Sequence, residues 1–190
     1  MSHKLIYGVG INDANYKASS IINGRRVTCQ YISTWRGILR RCYNAGYQSK
    51  NPTYVGCSVS EEWKTFSNFK RWMETQDWQG KQLDKDILFK NNRQYNSTSC
   101  AFVDRRTNLF LTDHGNSRGK FMLGVHWSKA AGKFRAQCRT GEGNQVFLGY
   151  FDCELSAHLA WKKYKYDLAC KLADEQTDVR VAVALRQRYL

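Results

Sequence analysis

One short segment constrains this chain more than any other: residues 133–139 read Lys-Phe-Arg-Ala-Gln-Cys-Arg. Side chains alternate across an extended strand. Lys133, Arg135, Gln137 and Arg139 therefore share one face, and Phe134, Ala136 and Cys138 the other. Residues 124–128 and 145–151 also read as strands, and Gly-containing turns separate the three. A helix over about 152–173 follows, carrying Leu155, Leu159, Leu168 and Leu172, then a last helix over 178–190 capped by Asp178 or Thr177. The apolar face of the middle strand can pack on the first of these helices. The opposite face is then a row of cations and one amide, all able to donate to guanine edges, adenine edges and phosphates. A small ribbon of strands fits the major groove of duplex DNA. Trp127, with His126 before it, sits on the adjacent strand where it can buttress a backbone contact. The alternative is an ordinary solvent face of a half-buried sheet, which Lys and Arg also populate.

Charge weighs on that choice. The 190 residues carry a formal charge of +14, with a pI near 9.6, an excess that calls for an anionic partner. Its distribution matters more than its size. No acid lies between Asp13 and Glu61, a stretch holding Lys17, Arg25, Arg26, Arg36, Arg40, Arg41 and Lys50. None lies between His114 and Gly141 either, against Arg118, Lys120, Lys129, Lys133, Arg135 and Arg139. Two basic tracts interleaved with Tyr, Trp and Phe suit a polyphosphate running past both; a merely solvated basic surface is the other reading.

In the N-terminal half, the first thirty residues alternate loosely, as a hairpin or extended arm would. Residues 31–44 have apolar side chains at Tyr31, Ile32, Trp35, Ile38, Leu39 and Cys42, which is helical spacing, with Arg36, Arg40 and Arg41 on or beside the polar flank as phosphate contacts. A loop is expected over 46–52 and a strand over 54–59. A second helix, N-capped by Ser60, carries an aromatic core stripe of Trp63, Phe66, Phe69, Trp72 and Met73. Strands over 81–88 and 99–103 flank a polar loop, residues 104–111 turn helical, and 115–119 form a linker. The seven cysteines are scattered without a C-x-x-C pair and the four histidines do not cluster, so they read as small buried hydrophobes rather than a structural zinc site. No run approaches a membrane span and no signal peptide opens the chain, so a cytoplasmic protein without membrane association is expected.

Two family resemblances add to this reading. GVHWSKAAGKFRAQCR followed by VFLGYFDCELSAHLAWKKY, roughly residues 120–173, resembles the ethylene-response-factor (Apetala) domain in its phage and bacterial form. The resemblance implies a sheet in the major groove, with Trp127, Arg135, Gln137 and Arg139 at or near contact positions. YISTWRGILRRCYN, EEWKTFSNFKRWM and LDKDI with YNSTSCAFV resemble the N-terminal half of phage HNH-type homing endonucleases. That implies a strand, loop, strand and helix holding one Mg²⁺ or Mn²⁺ on the scissile phosphate. Asp84 falls on the metal-binding Asp and Asn108 on the second ligand. Two positions depart from the pattern. Lys85 stands where the family has its general-base His, and Ser99 where it has an orienting Asn. A protonated Lys is a poor base but a fair phosphate clamp, which leaves Asp86 as the alternative base.

The expected architecture is α+β. Residues 1–114 would form an HNH-like domain with added helices, 120–173 an Apetala-like sheet and helix, and 174–190 a C-terminal helix. The expected partner is double-stranded DNA, with no small-molecule cofactor; the residues leave monomer and dimer open. Three functions compete: metal-dependent cleavage of a preferred duplex site, binding without cleavage by a regulator or a factor acting against host or competitor functions, and an RNA- or protein-directed inhibitor using the same basic face.

Overall fold

The structure, a computed structural model, describes residues 5–111, 120–140 and 144–190. The predicted linker at 115–119 lies outside the described residues. The fold is α+β, with two compact units, Met1–Phe102 and Val103–Leu190.

The first unit opens with an antiparallel hairpin, β1 (Ser19–Ile22) and β2 (Arg25–Thr28). Asn23 and Gly24 form its turn with φ of 51° and 73°, the positive values that a tight two-residue hairpin turn requires. Helix α1 (Gln30–Tyr43) buries Ile32, Trp35, Ile38, Leu39 and Cys42, the stripe that its spacing predicts. A loop is predicted next, but α2 (Ala45–Lys50) forms instead, because the Asn44 side chain accepts from the Tyr47 N–H at 2.7 Å and starts a new helix. The strand predicted over 54–59 shrinks to β3 (Ser58–Val59), after a 3₁₀ turn led by Pro52.

The predicted helix from Ser60 breaks in two. Residues 62–64 make a 3₁₀ turn, and α3 (Phe66–Glu74) begins only after Thr65, which is extended. The N-terminal segment causes the break. Ile11 N–H donates to the Lys64 carbonyl and the Phe66 N–H donates to the Ile11 carbonyl, taking the backbone of 64–66 out of helical bonding. The aromatic stripe still packs inward. Trp63 lies edge-on to Phe69 with centroids 5.0 Å apart, and the Trp35 indole N–H donates to the Trp63 carbonyl at 2.7 Å. Beyond it come β4 (Gln82–Asp84), β5 (Gln94–Tyr95), which pairs in parallel with β3, and β6 (Ala101–Val103), which pairs with β4.

The second unit holds α4 (Arg105–Leu111), the antiparallel sheet β7 (Val125–Ser128), β8 (Lys133–Arg139) and β9 (Gln145–Phe151), then α5 (Glu154–Asp174) and α6 (Val179–Gln187). Helix α4 falls in this second unit, which begins at Val103. The reason is local. The buried Lys165 of α5 donates to the Phe110 carbonyl at 3.0 Å, filling one of the acceptors that a helix end leaves open, and Arg106 pairs with Glu175 at 2.8 Å. The C-terminal α6 is capped by Asp178, which accepts from the Arg180 N–H, and it packs on α5.

The buried side of α5 is Ala157, Trp161, Lys165, Ala169, Leu172 and Ala173; of the leucines expected there Leu172 is buried, while Leu155 and Leu159 are 55% and 52% exposed. Small residues win because the helix lies close on the sheet, with Ala157 against Val125 and Ala136. The same closeness fixes Gly124. Its φ is +78°, and a Cβ there would meet the Trp161 ring at 2.1 Å. Gly124→Ala should therefore destabilise the second unit by about 2–4 kcal/mol, from the positive φ and the overpacking together. Denaturant unfolding followed by Trp fluorescence reads this as a lower midpoint at an unchanged slope.

Candidate functional site

Strand β8 is where the sequence pattern becomes a surface. Ala136 and Cys138 are buried under α5, and the alternation then turns Lys133, Arg135, Gln137 and Arg139 away from it. The strand register extends that face. His126 lies opposite Arg135 on β7, and Tyr150, Phe147 and Gln145 on β9 lie opposite Arg135, Gln137 and Arg139. The result is a basic face with two aromatic rings in it, Phe147 and Tyr150, 49% and 48% exposed. These rings pack edge-to-face at 5.0 Å, and the Arg135 guanidinium lies over Phe147 at 5.3 Å. The Arg135 Nε is buried and finds no hydrogen-bond partner among the described residues. One acid intrudes: Lys133 pairs with the exposed Asp152 at 2.9 Å, a surface contact of little energetic weight.

Phe147 and Tyr150 escape a reading of strand parity, because residues three apart on a regular strand point to opposite faces. A bulge resolves this. Leu148 is an extra residue opposite the Ala136/Gln137 step, and Gly149 adopts φ 129° beside it. The Leu-Gly pair between two aromatics was the available signal. Trp127 goes the other way. It pairs with Phe134, packs edge-on to that ring at 4.9 Å, and so lies on the face opposite Arg135 although 44% exposed. The structure does not bring it into the row.

The α1 arginines divide. Arg36 and Arg40 are exposed, one helical turn apart, and Arg40 lies over the Tyr47 ring at 4.7 Å. Arg41 turns inward instead, beside Tyr54 and within 3.5 Å of the Tyr95 hydroxyl. Burial works against its charge, but the phenols of Tyr95, Tyr54 and Tyr47 outweigh that and raise its basicity. Arg41 is half-buried among these phenols, whereas Arg36 and Arg40 are exposed.

At Asp84 the end of β4 turns sharply. One carboxylate oxygen, Oδ1, accepts from the backbone N–H groups of Asp86 and Ile87, both at 2.7 Å. No hydrogen bond reaches the other oxygen among the described residues. Burial pushes this carboxyl above its ordinary range; the two N–H bonds and the Lys85 ammonium pull downward without overcoming it. Lys85 is not a free phosphate clamp. It is 7% exposed, and its ammonium is held by Asp86 Oδ2 at 2.7 Å and the Asn92 carbonyl at 2.6 Å. The pairing also occupies Asp86, the alternative base. Ser99 carries no amide to orient a neighbour, and Asn92 bonds to its hydroxyl. The Asn92 Nδ2 donates to the carbonyls of Lys85 and Gln94 and to the Ser99 hydroxyl, tying the loop together. Asn108 is half-buried on α4 and belongs to the second unit, whereas Asp84 belongs to the first.

Among the described residues no three His, Cys, Asp or Glu side chains converge as a metal site, and the first unit has no described histidine. Mg²⁺, however, is held by one or two carboxylates with waters and substrate phosphate, and a half-buried carboxylate with one open oxygen fits that habit. Burial pushes the thiols of Cys42 and Cys100 up to about 12, so both stay protonated. No helix of the described residues is long and apolar enough to cross a membrane. Comparisons with family models, curated proteins and solved structures found no match.

With its pKa raised in the folded chain, Asp84 favours the fold in its protonated form, and that contribution is lost as pH rises through the carboxylate range. Asp84→Asn keeps an oxygen for the two N–H donors and removes the charge. Its thermal midpoint at neutral pH should exceed that of the wild type, and the gap should close as pH falls toward about 4. Melting curves across that range measure it; a gap that widens on acidification would mean that the carboxylate is stabilising.

Proposed function

We propose that this protein binds double-stranded DNA through the outward face of its three-stranded sheet. The observation that carries the reading is the β8 row: Lys133, Arg135, Gln137 and Arg139 stand on one face because Ala136 and Cys138 are committed to α5 on the other. In the major groove, Arg135 and Arg139 would donate to guanine O6 and N7, Gln137 to adenine, and Lys133 to phosphate. Arg135 is the best prepared of these, since its guanidinium already rests over the Phe147 ring at 5.3 Å. Arg36 and Arg40 supply a further exposed basic pair on α1 for backbone phosphates. The resemblance to the Apetala domain supports the same face.

A second reading, cleavage of the bound duplex, rests on Asp84. Its open oxygen would serve as the carboxylate ligand of one Mg²⁺ or Mn²⁺, which would supply Lewis-acid polarisation of a scissile phosphate. The chain's own residues around it are arranged for rigidity. Lys85 and Asp86 neutralise each other, and Asn92 locks the loop that carries them. That arrangement leaves the family's base position filled by a cation, and favours binding without cleavage as the primary function.

Binding and cutting separate cleanly in one set of assays. Arg135→Ala and Arg139→Ala should each weaken binding to a duplex selected from a random pool by about 1–3 kcal/mol, roughly fivefold to 150-fold, and relax base preference at one position. Asp84→Ala should leave that affinity unchanged in chelator. If the wild type nicks the duplex with Mg²⁺, Asp84→Ala should abolish the nicking; equal nicking by the variant would remove Asp84 from the reaction. Undiminished affinity in the Arg135 and Arg139 variants would contradict the proposed face.

A further inference from the structure

The β1–β2 hairpin stands apart from the rest of the first unit. Its base is fixed: Ala18 and Cys29 pack against the core, and the Cys29 N–H donates to the Ala18 carbonyl at 2.8 Å. Beyond that base it carries almost nothing that folding needs. All four β2 residues are exposed, Ile21 is 79% exposed, and Val27 on the other face is 48% exposed. A two-stranded ribbon with so little packed against it is marginal by itself.

Its charges say what partner suits it. Arg25 and Arg26 are consecutive on β2, so they project to opposite faces. Arg26 lies opposite Ile21 and lines an open recess of about 610 Å³ with Lys17, Ser19, Ser20 and Gly24. Arg25 lies on the reverse side, opposite Ile22, and no acidic residue occurs between Asp13 and Glu61 to neutralise either. A wedge with one cation on each side and an amide at its tip matches a channel with two anionic walls and polar base edges on its floor. The major groove of duplex DNA is such a channel, and it is wide enough for a two-stranded ribbon.

We propose that the β1–β2 hairpin is a second DNA-contacting arm, which enters the major groove tip-first. Arg26 and Lys17 meet one phosphate wall, Arg25 meets the other, and Asn23 at the turn reaches the base edges. Ile21 and Val27 lie along the sugars and base edges of the walls, where their exposure is relieved. The inference rests on the proposed duplex binding but uses residues that the sheet does not.

The test is the salt dependence of binding by the full chain, measured by anisotropy on the selected duplex. Each phosphate neutralised contributes about 0.9 to the slope of log K against log salt. Arg25→Ala/Arg26→Ala should lower that slope by about 2, whereas Arg25→Lys/Arg26→Lys should keep it. Lys163→Ala/Lys171→Ala, which removes the same charge from exposed positions of α5, should also leave it unchanged. Because the arm contributes little to the core, the melting temperature of the Arg25/Arg26 double alanine variant serves as a folding control. An unchanged slope in that variant, or an equal fall in the α5 variant, overturns the arm while duplex binding through the sheet stands. Failure of the wild type to bind any duplex overturns both.

Discussion

The structure turns on the contact between β8 and α5. A strand has two faces, and a helix that lies close on a sheet demands small, apolar side chains beneath it. Ala136 and Ala157 meet that demand, with Val125 beside them, and Gly124 is held at positive φ under the Trp161 ring. Once Ala136 and Cys138 are committed inward, the alternation leaves no freedom for their neighbours. Lys133, Arg135, Gln137 and Arg139 have to face away from the helix. The basic face is a geometric consequence of the packing, and its chemistry follows from which residues occupy the odd positions.

Around Asp84 the balance is different. Lys85 is buried, and a buried ammonium is tolerated only when its charge and its donors are matched. Asp86 and the Asn92 carbonyl do this, while Asn92 in turn ties Lys85, Gln94 and Ser99 together. The residues that a nuclease centre would keep mobile or basic are here spent on one another. Asp84 keeps one oxygen open, and burial holds its carboxyl above the ordinary range.

Much of this was legible in the sequence. The limits of β8 and β9, the buried stripe of α1 and the Asp178 cap follow directly from period-2 alternation, helical spacing and capping chemistry. What escaped was non-local. The inserted Ile11 splits the helix at Thr65, Lys165 of α5 draws α4 into the second unit, and the parallel pairing of β3 with β5 joins segments far apart in the chain. At the site, the row on β8 could be read from alternation alone. The aromatic pair beside it could not, because the bulge at Leu148 reverses the parity of β9. Trp127 was misplaced for the opposite reason: regular pairing with Phe134 puts it on the other face. The roles of Lys85 and Arg41 depended on burial, which no local pattern reports.

The central claim is that the outward face of this sheet lies against a duplex. Amide chemical-shift mapping of the full chain, titrated with a selected duplex, tests it most directly. The largest shifts should fall on His126, on alternate residues of β8 from Lys133 to Arg139, and on Gln145, Phe147 and Tyr150. A duplex that binds while those amides stay unmoved would contradict it.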